Sequence, residues 1–284
     1  MKKKCLAALV SCLFAALLLG GCAMNLAGNV YRYSDASEYE GVVGDIGGFG
    51  FEDFSSIEID WISGHVEIIR RTDEQQAVIR LNEDFEKAMK QEEYDKLSLR
   101  IRIKNGVLSV KYATSGTRIP SNFKKSLTVE IPASIEFEKI EVNTVSAKVT
   151  VGEISLDELK VNTVSGNVSL SDISAKDISV NTVSGSTTFL RTECSDISVD
   201  STSGALRVEK TVFSDLEFDS TSGSSTIILP EETGFTCKFD TVSGRFSDEF
   251  GAKKSGKKYV FGDGAIKIEV DTTSGSLSLK KATD

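Results

Sequence analysis

One histidine, three prolines, one tryptophan and 33 basic residues against 42 acidic ones mark what this 284-residue chain has little of. The lone histidine, His65, cannot fill a zinc shell, and no base-orienter pair for nucleophilic catalysis is visible around it. The shortage of proline, in a chain rich in β-branched residues, favours strands and excludes a helical solenoid. Basic residues are too few for a nucleic-acid binder: the net charge is −9, and it becomes −12 if Lys2, Lys3 and Lys4 leave with a leader. Of five cysteines, Cys5 and Cys12 lie in the N-terminal apolar run, Cys22 follows it, and Cys194 with Cys237 do not make a disulfide framework. No apolar run of membrane length follows residue 21.

The first residues supply what the rest lacks. Three lysines precede an apolar run from Cys5 to Leu19, which ends in Leu19-Gly20-Gly21-Cys22. That order is the n-region, h-region and small-residue cleavage site of an export signal, and its last four residues resemble the lipobox of bacterial lipoproteins. The expectation is a signal peptide over 1–21 and a lipid on Cys22 as the membrane anchor, with the protein facing the extracytoplasmic side. A sortase-like string, Leu229-Pro230-Glu231-Glu232-Thr233-Gly234, has one residue too many and no hydrophobic tail; it reads as a turn.

Thr-Val-Ser-Gly or a close variant recurs with its serine at Ser146, Ser165, Ser184, Ser203, Ser222, Ser243 and Ser274, at intervals of 19, 19, 19, 19, 21 and 31. A fixed period of this length means stacked coils, none of which buries its apolar face alone. Six residues before each of the first five serines stand Ile140, Leu159, Ile178, Ile197 and Leu216, and four before stand Val142, Val161, Val180, Val199 and Phe218. This period of two predicts an all-β, right-handed parallel β-helix, a β-solenoid of about 19-residue coils. Each coil would hold short strands joined by a Ser-Gly turn and by a looser turn near Ser171-Asp172. Cys194 and Cys237 fall on buried ladders and read as small core hydrophobes.

Around the regular array, Ile57 to Ile68 reads as an irregular first coil, with further strands near 77–81, 97–103, 107–112 and 127–131. The charged stretch 83–96 reads as a short helix or an insert. Residues 22–41 lack apolar periodicity and read as a flexible tether, so that the solenoid domain covers 42–284. The stretch 250–264, with Lys253, Lys254, Lys257 and Lys258, lengthens one coil into a hairpin, or into a contact for an anionic wall polymer.

Trp61-Ile62-Ser63-Gly64-His65-Val66, Leu127-Thr128-Val129-Glu130-Ile131-Pro132, the Thr-Val-Ser-Gly series and Gly262-Asp263-Gly264 together resemble a known family, the adhesin family of bacterial envelope proteins with β-strand repeats, whose molecular function is unassigned. The likeness runs from Ile57 to Lys281. It implies a single-chain β-helix at the cell envelope, with adhesion or a part in the response to envelope damage as its role. No catalytic residue is known for the family, and none is carried over. Ala147, where the other repeats have glycine, and the insert after Asn82 depart from the pattern.

The functional expectation is a lipid-anchored envelope binding protein or adhesin without catalytic activity or cofactor. Its partners are the membrane through Cys22, and an envelope glycan, a host surface or an envelope protein; nucleic acid is not among them. An accessory of the envelope stress response is the alternative, and a polysaccharide lyase or hydrolase on a β-helix is the second. The 42 acids single out no catalytic pair, and fold analogy alone supports an enzyme. Two columns stay open. In Thr-Val-Ser, either the Val or the Thr column faces the core. Three residues before each serine, Asn143, Asn162 and Asn181 give way to Asp200, Asp219, Asp240 and Asp271; solvent and turn N–H groups relieve these carboxylates, or a calcium ion does along Asp200, Asp219 and Asp240.

Overall fold

The computed structural model describes residues 24–25, 29–41, 44–45, 54–71 and 78–283. Two long sheets, of 13 and 11 strands, carry most of them, and a three-stranded sheet lies beside these. In the middle of the chain each coil gives one strand to each long sheet: Phe137–Thr144 leads into Lys148–Gly152, Ser155–Thr163 into Val168–Ser171, and Ser174–Thr182 into Thr187–Leu190. Coils pair in parallel with like residues in register. Val142, Val161, Val180, Val199 and Phe218 form one ladder; Val149, Val168, Thr187, Leu206 and Ser225 form another on the facing sheet. Because alternate side chains of a strand point to opposite faces, both ladders turn inward, and all ten residues are buried.

Two turns close each coil. One is the Ser-Gly corner; the other passes through a left-handed residue that is not glycine, with φ of 57° at Glu153, 56° at Asp172, 50° at Arg191 and 50° at Lys210. This second corner matches the looser turn expected near Ser171-Asp172.

At both ends the order in space departs from the order along the chain. Phe54–Trp61 is not an outermost strand: it lies between Phe137–Thr144 and Gly106–Lys111. Its continuation Gly64–Arg71 lies between Lys148–Gly152 and Lys125–Pro132. At the far end Ile266–Thr272 is inserted between Asp215–Ser220 and Phe235–Thr241. The expected plain succession of coils therefore holds only from 137 to 229. An outermost parallel strand exposes a row of unpaired backbone groups, and the excursions cover three such rows with antiparallel strands, while Phe246–Asp248 stays at the edge of the 11-stranded sheet. Arg100–Lys104 covers Gly106–Lys111, Arg80–Phe85 covers Lys125–Pro132, and the hairpin Lys253–Ser255/Lys258–Phe261 covers Phe235–Thr241.

The stretch expected as a short helix or insert holds the end of Arg80–Phe85 and a helix, α1, at Gln91–Leu97. The expected tether needs correction over 29–41. Tyr31 is wholly buried, its hydroxyl accepts from the Tyr112 N–H at 3.2 Å, and Glu38 pairs with Arg102 and Lys104. Aromatic and charged anchoring of this kind has no sequence period, so the segment looked unstructured. Cys22 lies outside the described residues. Among the described residues no helix is long and apolar enough to cross a membrane.

Candidate functional site: the corner, the ladder and two outer faces

The repeated tetrapeptide builds one corner of the stack. Thr144, Thr163, Thr182, Ser201, Ser220 and Thr272 are buried, and the hydroxyls of Thr163, Thr182, Ser201 and Ser220 accept the N–H of the glycine three residues on, at 2.6–2.9 Å. The Thr column therefore faces the core and the Val column faces outward, as Val242, 66% exposed, shows most clearly. A Cβ on Gly185 would stand 1.9 Å from the carbonyl oxygen of Gly166 in the neighbouring coil, and one on Gly204 2.0 Å from that of Gly185. Close coil contact, rather than backbone conformation, requires glycine here. The serines line the outside, where Ser165 and Ser203 donate at 3.3 Å to the carbonyls of Val145 and Val183. Ala147 belongs to the coil that meets Ser63-Gly64, a turn of different backbone, with φ of 102° at Gly64.

Beside this corner runs the asparagine–aspartate column, and its spatial order is Lys111, Asp60, Asn143, Asn162, Asn181, Asp200, Asp219, Asp271, Asp240. Each amide hands a hydrogen bond to the previous coil: Asn143 Nδ2 to Asp60 Oδ1 at 3.0 Å, Asn162 to Asn143 at 2.8 Å, and Asn181 to Asn162 at 2.9 Å. Asp60 closes that chain with an ion pair to Lys111. Burial works against the Lys111 charge, but Asp60 and Glu58 outweigh it and raise the pKa. From Asp200 onward the column has no amide. Burial pushes Asp200 up, with help from Glu217. It pushes Asp219 up to about 6, assisted by Glu217, Asp200, Asp271 and Glu269. Asp219 is followed by Asp271 rather than by Asp240, so the adjacency that a calcium site along Asp200, Asp219 and Asp240 needs is broken. Among the described residues no group of three or more His, Cys, Asp or Glu side chains is placed to hold a metal ion.

The two long sheets present unlike outer faces. On the 13-stranded sheet Asp177, Asp196 and Asp215 stack in register next to Ser179, Ser198 and Glu217, which makes the middle of this face acidic. On the 11-stranded sheet one outward row runs Thr150, Ser169, Thr188, Arg207, Thr226, Ser278. A second outward set, Asn167, Ser186, Ala205 and Ser224, is exposed. Short hydroxyl side chains dominate these two sets at β-sheet spacing, about 4.8 Å per coil, and a third outward row, Ser171, Leu190, Glu209, Ile228 and Lys280, is mixed.

The reactive residues singled out from sequence are placed as follows. His65 sits at one end of the hydroxyl-rich face, with Nε2 2.9 Å from Thr150 Oγ1, and burial lowers its pKa. Burial pushes the Cys194 and Cys237 thiols up to about 12, which leaves neither as a thiolate near neutral pH. The lysine-rich stretch forms the hairpin described above, with Lys253, Lys254, Lys257 and Lys258 exposed.

Sequence reasoning missed Lys125. Its ammonium is wholly buried, paired with Glu83, and donates to the carbonyls of Leu97 and Tyr112. It also lies 4.7 Å from the Trp61 ring and 4.3 Å from the Tyr112 ring. Burial pushes Lys125 down to about 8 and raises Glu83. The signal was present: Lys125 shares the inward parity of Leu127, Val129 and Ile131.

The family model of the Toastrack DUF4097 domain matches residues 54–280. No curated protein matches the chain. Among solved structures it is similar to a candidate adhesin from Bacteroides fragilis, at 16% identity and a TM-score of 0.49 over 80% of this chain and 92% of that one. It is also similar to a candidate adhesin from Parabacteroides distasonis, at 13% identity and a TM-score of 0.43 over 86% and 95%. A candidate cell-adhesion protein from Clostridium sporogenes matches at 16% identity and a TM-score of 0.34 over 86% and 98%.

Proposed function

The chain belongs to the Toastrack DUF4097 family, and we propose that it is an extracytoplasmic binding protein of the adhesin kind, held to the membrane by a lipid on Cys22 and without catalytic activity. We read its two sheets as the walls of a right-handed solenoid of about 19-residue coils, the hand expected for parallel crossovers. The observation that carries the binding reading is the hydroxyl-rich face: Ser169, Thr188, Thr226 and Ser278 stand in register on a sheet whose opposite side is the core. A surface that repeats every coil suits a partner that also repeats, such as an envelope glycan, or a flat protein surface on a host cell or in the envelope. Support for the non-catalytic reading comes from two buried thiols with raised pKa values and from a histidine hydrogen-bonded to threonine rather than to an acid. The anchor reading rests on the leader and on Leu19-Gly20-Gly21-Cys22.

Two experiments test this. Cys22→Ala removes the only acyl acceptor at the leader junction and is expected to move the protein out of the membrane fraction or to halt it as precursor; fully processed protein still in the membrane defeats the anchor. Pull-downs from intact envelopes are then compared between the wild type and a Thr188→Glu, Thr226→Glu double variant. Material captured by the wild type and lost in the variant supports the face. External glycan or host material favours the adhesin, whereas membrane proteins of the same cell favour the envelope-stress accessory. Identical capture by both proteins removes this face from consideration. Unsaturated oligosaccharide released from a polysaccharide panel would overturn the non-catalytic reading.

A further inference from the structure

A cavity of about 710 Å³ opens between helix α1 and the segment 114–124, at the end of the stack where the N-terminal segment docks. That volume lies within the usual range of about 300–1,000 Å³ for small-molecule sites. Its apolar lining comes from Met89, Leu97 and Phe123. Lys87, Lys96, Arg118 and Lys124 also line it and outnumber Glu86 and Glu93, which gives a net positive site in a chain of net charge −9. Lys96 already pairs with Glu92 at 2.9 Å, so Lys87, Arg118 and Lys124 supply the positive excess.

The walls are fastened to one another. The Thr114 N–H and the Thr117 hydroxyl both donate to the Lys96 carbonyl, at 3.0 and 3.3 Å. The buried Lys125 ammonium holds the carbonyl of Leu97 at the end of α1. The cavity is thus built into the fold rather than left between loose loops.

Its place in the chain says what reaches it. Thr117–Arg118 on the cavity wall pairs with Val30–Tyr31, and Met24–Asn25 pairs with the other edge of that same strand. Two strand spacings put the Met24 backbone about 10 Å from Thr117, and the two residues back to Cys22 add at most about 7 Å. A lipid on Cys22 would bring this end of the protein, and no other, to the membrane surface. Cationic side chains over an apolar lining match an amphiphile with an anionic head.

We propose that this cavity binds an anionic phospholipid of the leaflet that holds the protein, with the headgroup phosphate on Arg118 and Lys124 and the adjoining carbons on Met89, Leu97 and Phe123. The inference rests on the anchor reading for the lipid's source. The phosphate takes charge-assisted hydrogen bonds from the guanidinium and ammonium groups, and the apolar contacts favour a phospholipid over free phosphate. Bound this way, a lipid would fix the end of the stack against the membrane and hold its long faces outward.

The test titrates full-length protein, purified in a non-ionic detergent, with dihexanoyl phosphatidylglycerol, dihexanoyl phosphatidylcholine and inorganic phosphate, reading binding by native mass spectrometry. Phosphatidylglycerol is expected to bind at least about tenfold more tightly than either other probe. An Arg118→Glu, Lys124→Glu variant should lose that preference at an unchanged melting temperature, and Lys254→Glu in the distant hairpin should keep it. Equal binding of the two lipids, phosphate binding as tightly as phosphatidylglycerol, or a preference that survives the double reversal overturns the proposal. The intact mass of the same protein separates the two readings. An N-terminus without acyl groups sinks the anchor and leaves the cavity result standing, and an acylated protein without lipid preference sinks the cavity alone.

Discussion

From Asp60 to Asn181 the outward column is a chain of paired donors and acceptors, whereas from Asp200 to Asp240 it is a run of acceptors on the same parallel register. The backbone is alike in both stretches, and one atom per residue differs. An amide carries donor and acceptor together, so identical side chains can stack and still be satisfied; an ionised carboxylate only accepts. The consequences are visible in the hydrogen bonds. Asn162 and Asn181 are buried with each amide bonded to the coil before it, while Asp271 Oδ1 is buried without a hydrogen-bond partner among the described residues. The asparagine stretch ends in a cation, Lys111, and in the aspartate stretch Lys238 stands 3.7 Å from Asp271. A β-stack thus satisfies a buried polar column when each residue serves its neighbour, and leaves acceptors without donors when none can.

The comparison is broken most directly at its capped end. Lys111→Met leaves Asp60, almost fully buried, without its cation, and should cost about 3–5 kcal/mol. Urea unfolding that moves by under about 1 kcal/mol would mean the pair does not close the ladder. Next in size, Asn162→Asp removes the donor to Asn143 and sets a carboxylate against an amide oxygen, at a cost of about 2 kcal/mol. The same measurement decides it, and an effect no larger than that of a surface mutation would count against the ladder as a stabilising unit.

The uncapped end should respond with the opposite sign. Asp219→Asn replaces a raised carboxyl by a group that can donate to Asp200, and should stabilise at pH 7. The full shift to about 6 is worth about 3 kcal/mol, and the half-exposed position screens this to about 1 kcal/mol. The pH dependence follows from linkage. The folded pKa lies above the unfolded one, so between them the folded protein binds more protons and stability falls as pH rises. The penalty is absent below the unfolded carboxylate pKa and complete once pH passes through about 6. Wild type should therefore melt higher at pH 5 than at pH 7 by more than Asp219→Asn does; equal pH differences would show that the Asp219 carboxyl is relieved in the fold. The smallest effect lies where the two stretches do not differ. Glu153→Gly and Lys210→Gly, both at left-handed corners, should each change stability by no more than about 1 kcal/mol, since release of backbone strain offsets the added freedom of the unfolded chain. Unequal effects in thermal melts would locate a further difference between the halves.

Much of this was legible beforehand because a parallel stack repeats its chemistry. The period placed Ile140, Val142 and their counterparts in the core, and the structure buries them. It also set the Ser-Gly corner and the looser turn through Asp172. The lysine hairpin was readable from its position between repeats. Lys125 was readable too, by parity with Leu127, but its partner Glu83 lies 42 residues away in an aperiodic insert. The cavity is built from that insert and from 114–124, two stretches without any repeat, and so carried no sequence signal.

Local alternation and spacing, which are properties of neighbouring residues, determined by themselves that this chain makes short parallel strands with Val, Ile and Leu inside. Three things needed the tertiary structure. The threonine column turned inward, where each hydroxyl takes the N–H of the glycine three residues on and that glycine lies against the next coil. The coils at both ends changed places, and antiparallel strands cover most of the outermost edges there, an order that any of several chain segments with the same alternation could fill. The asparagine and aspartate stretches parted because hydrogen bonding along a column depends on which coil lies next in space, a relation that the order of residues along the chain does not contain.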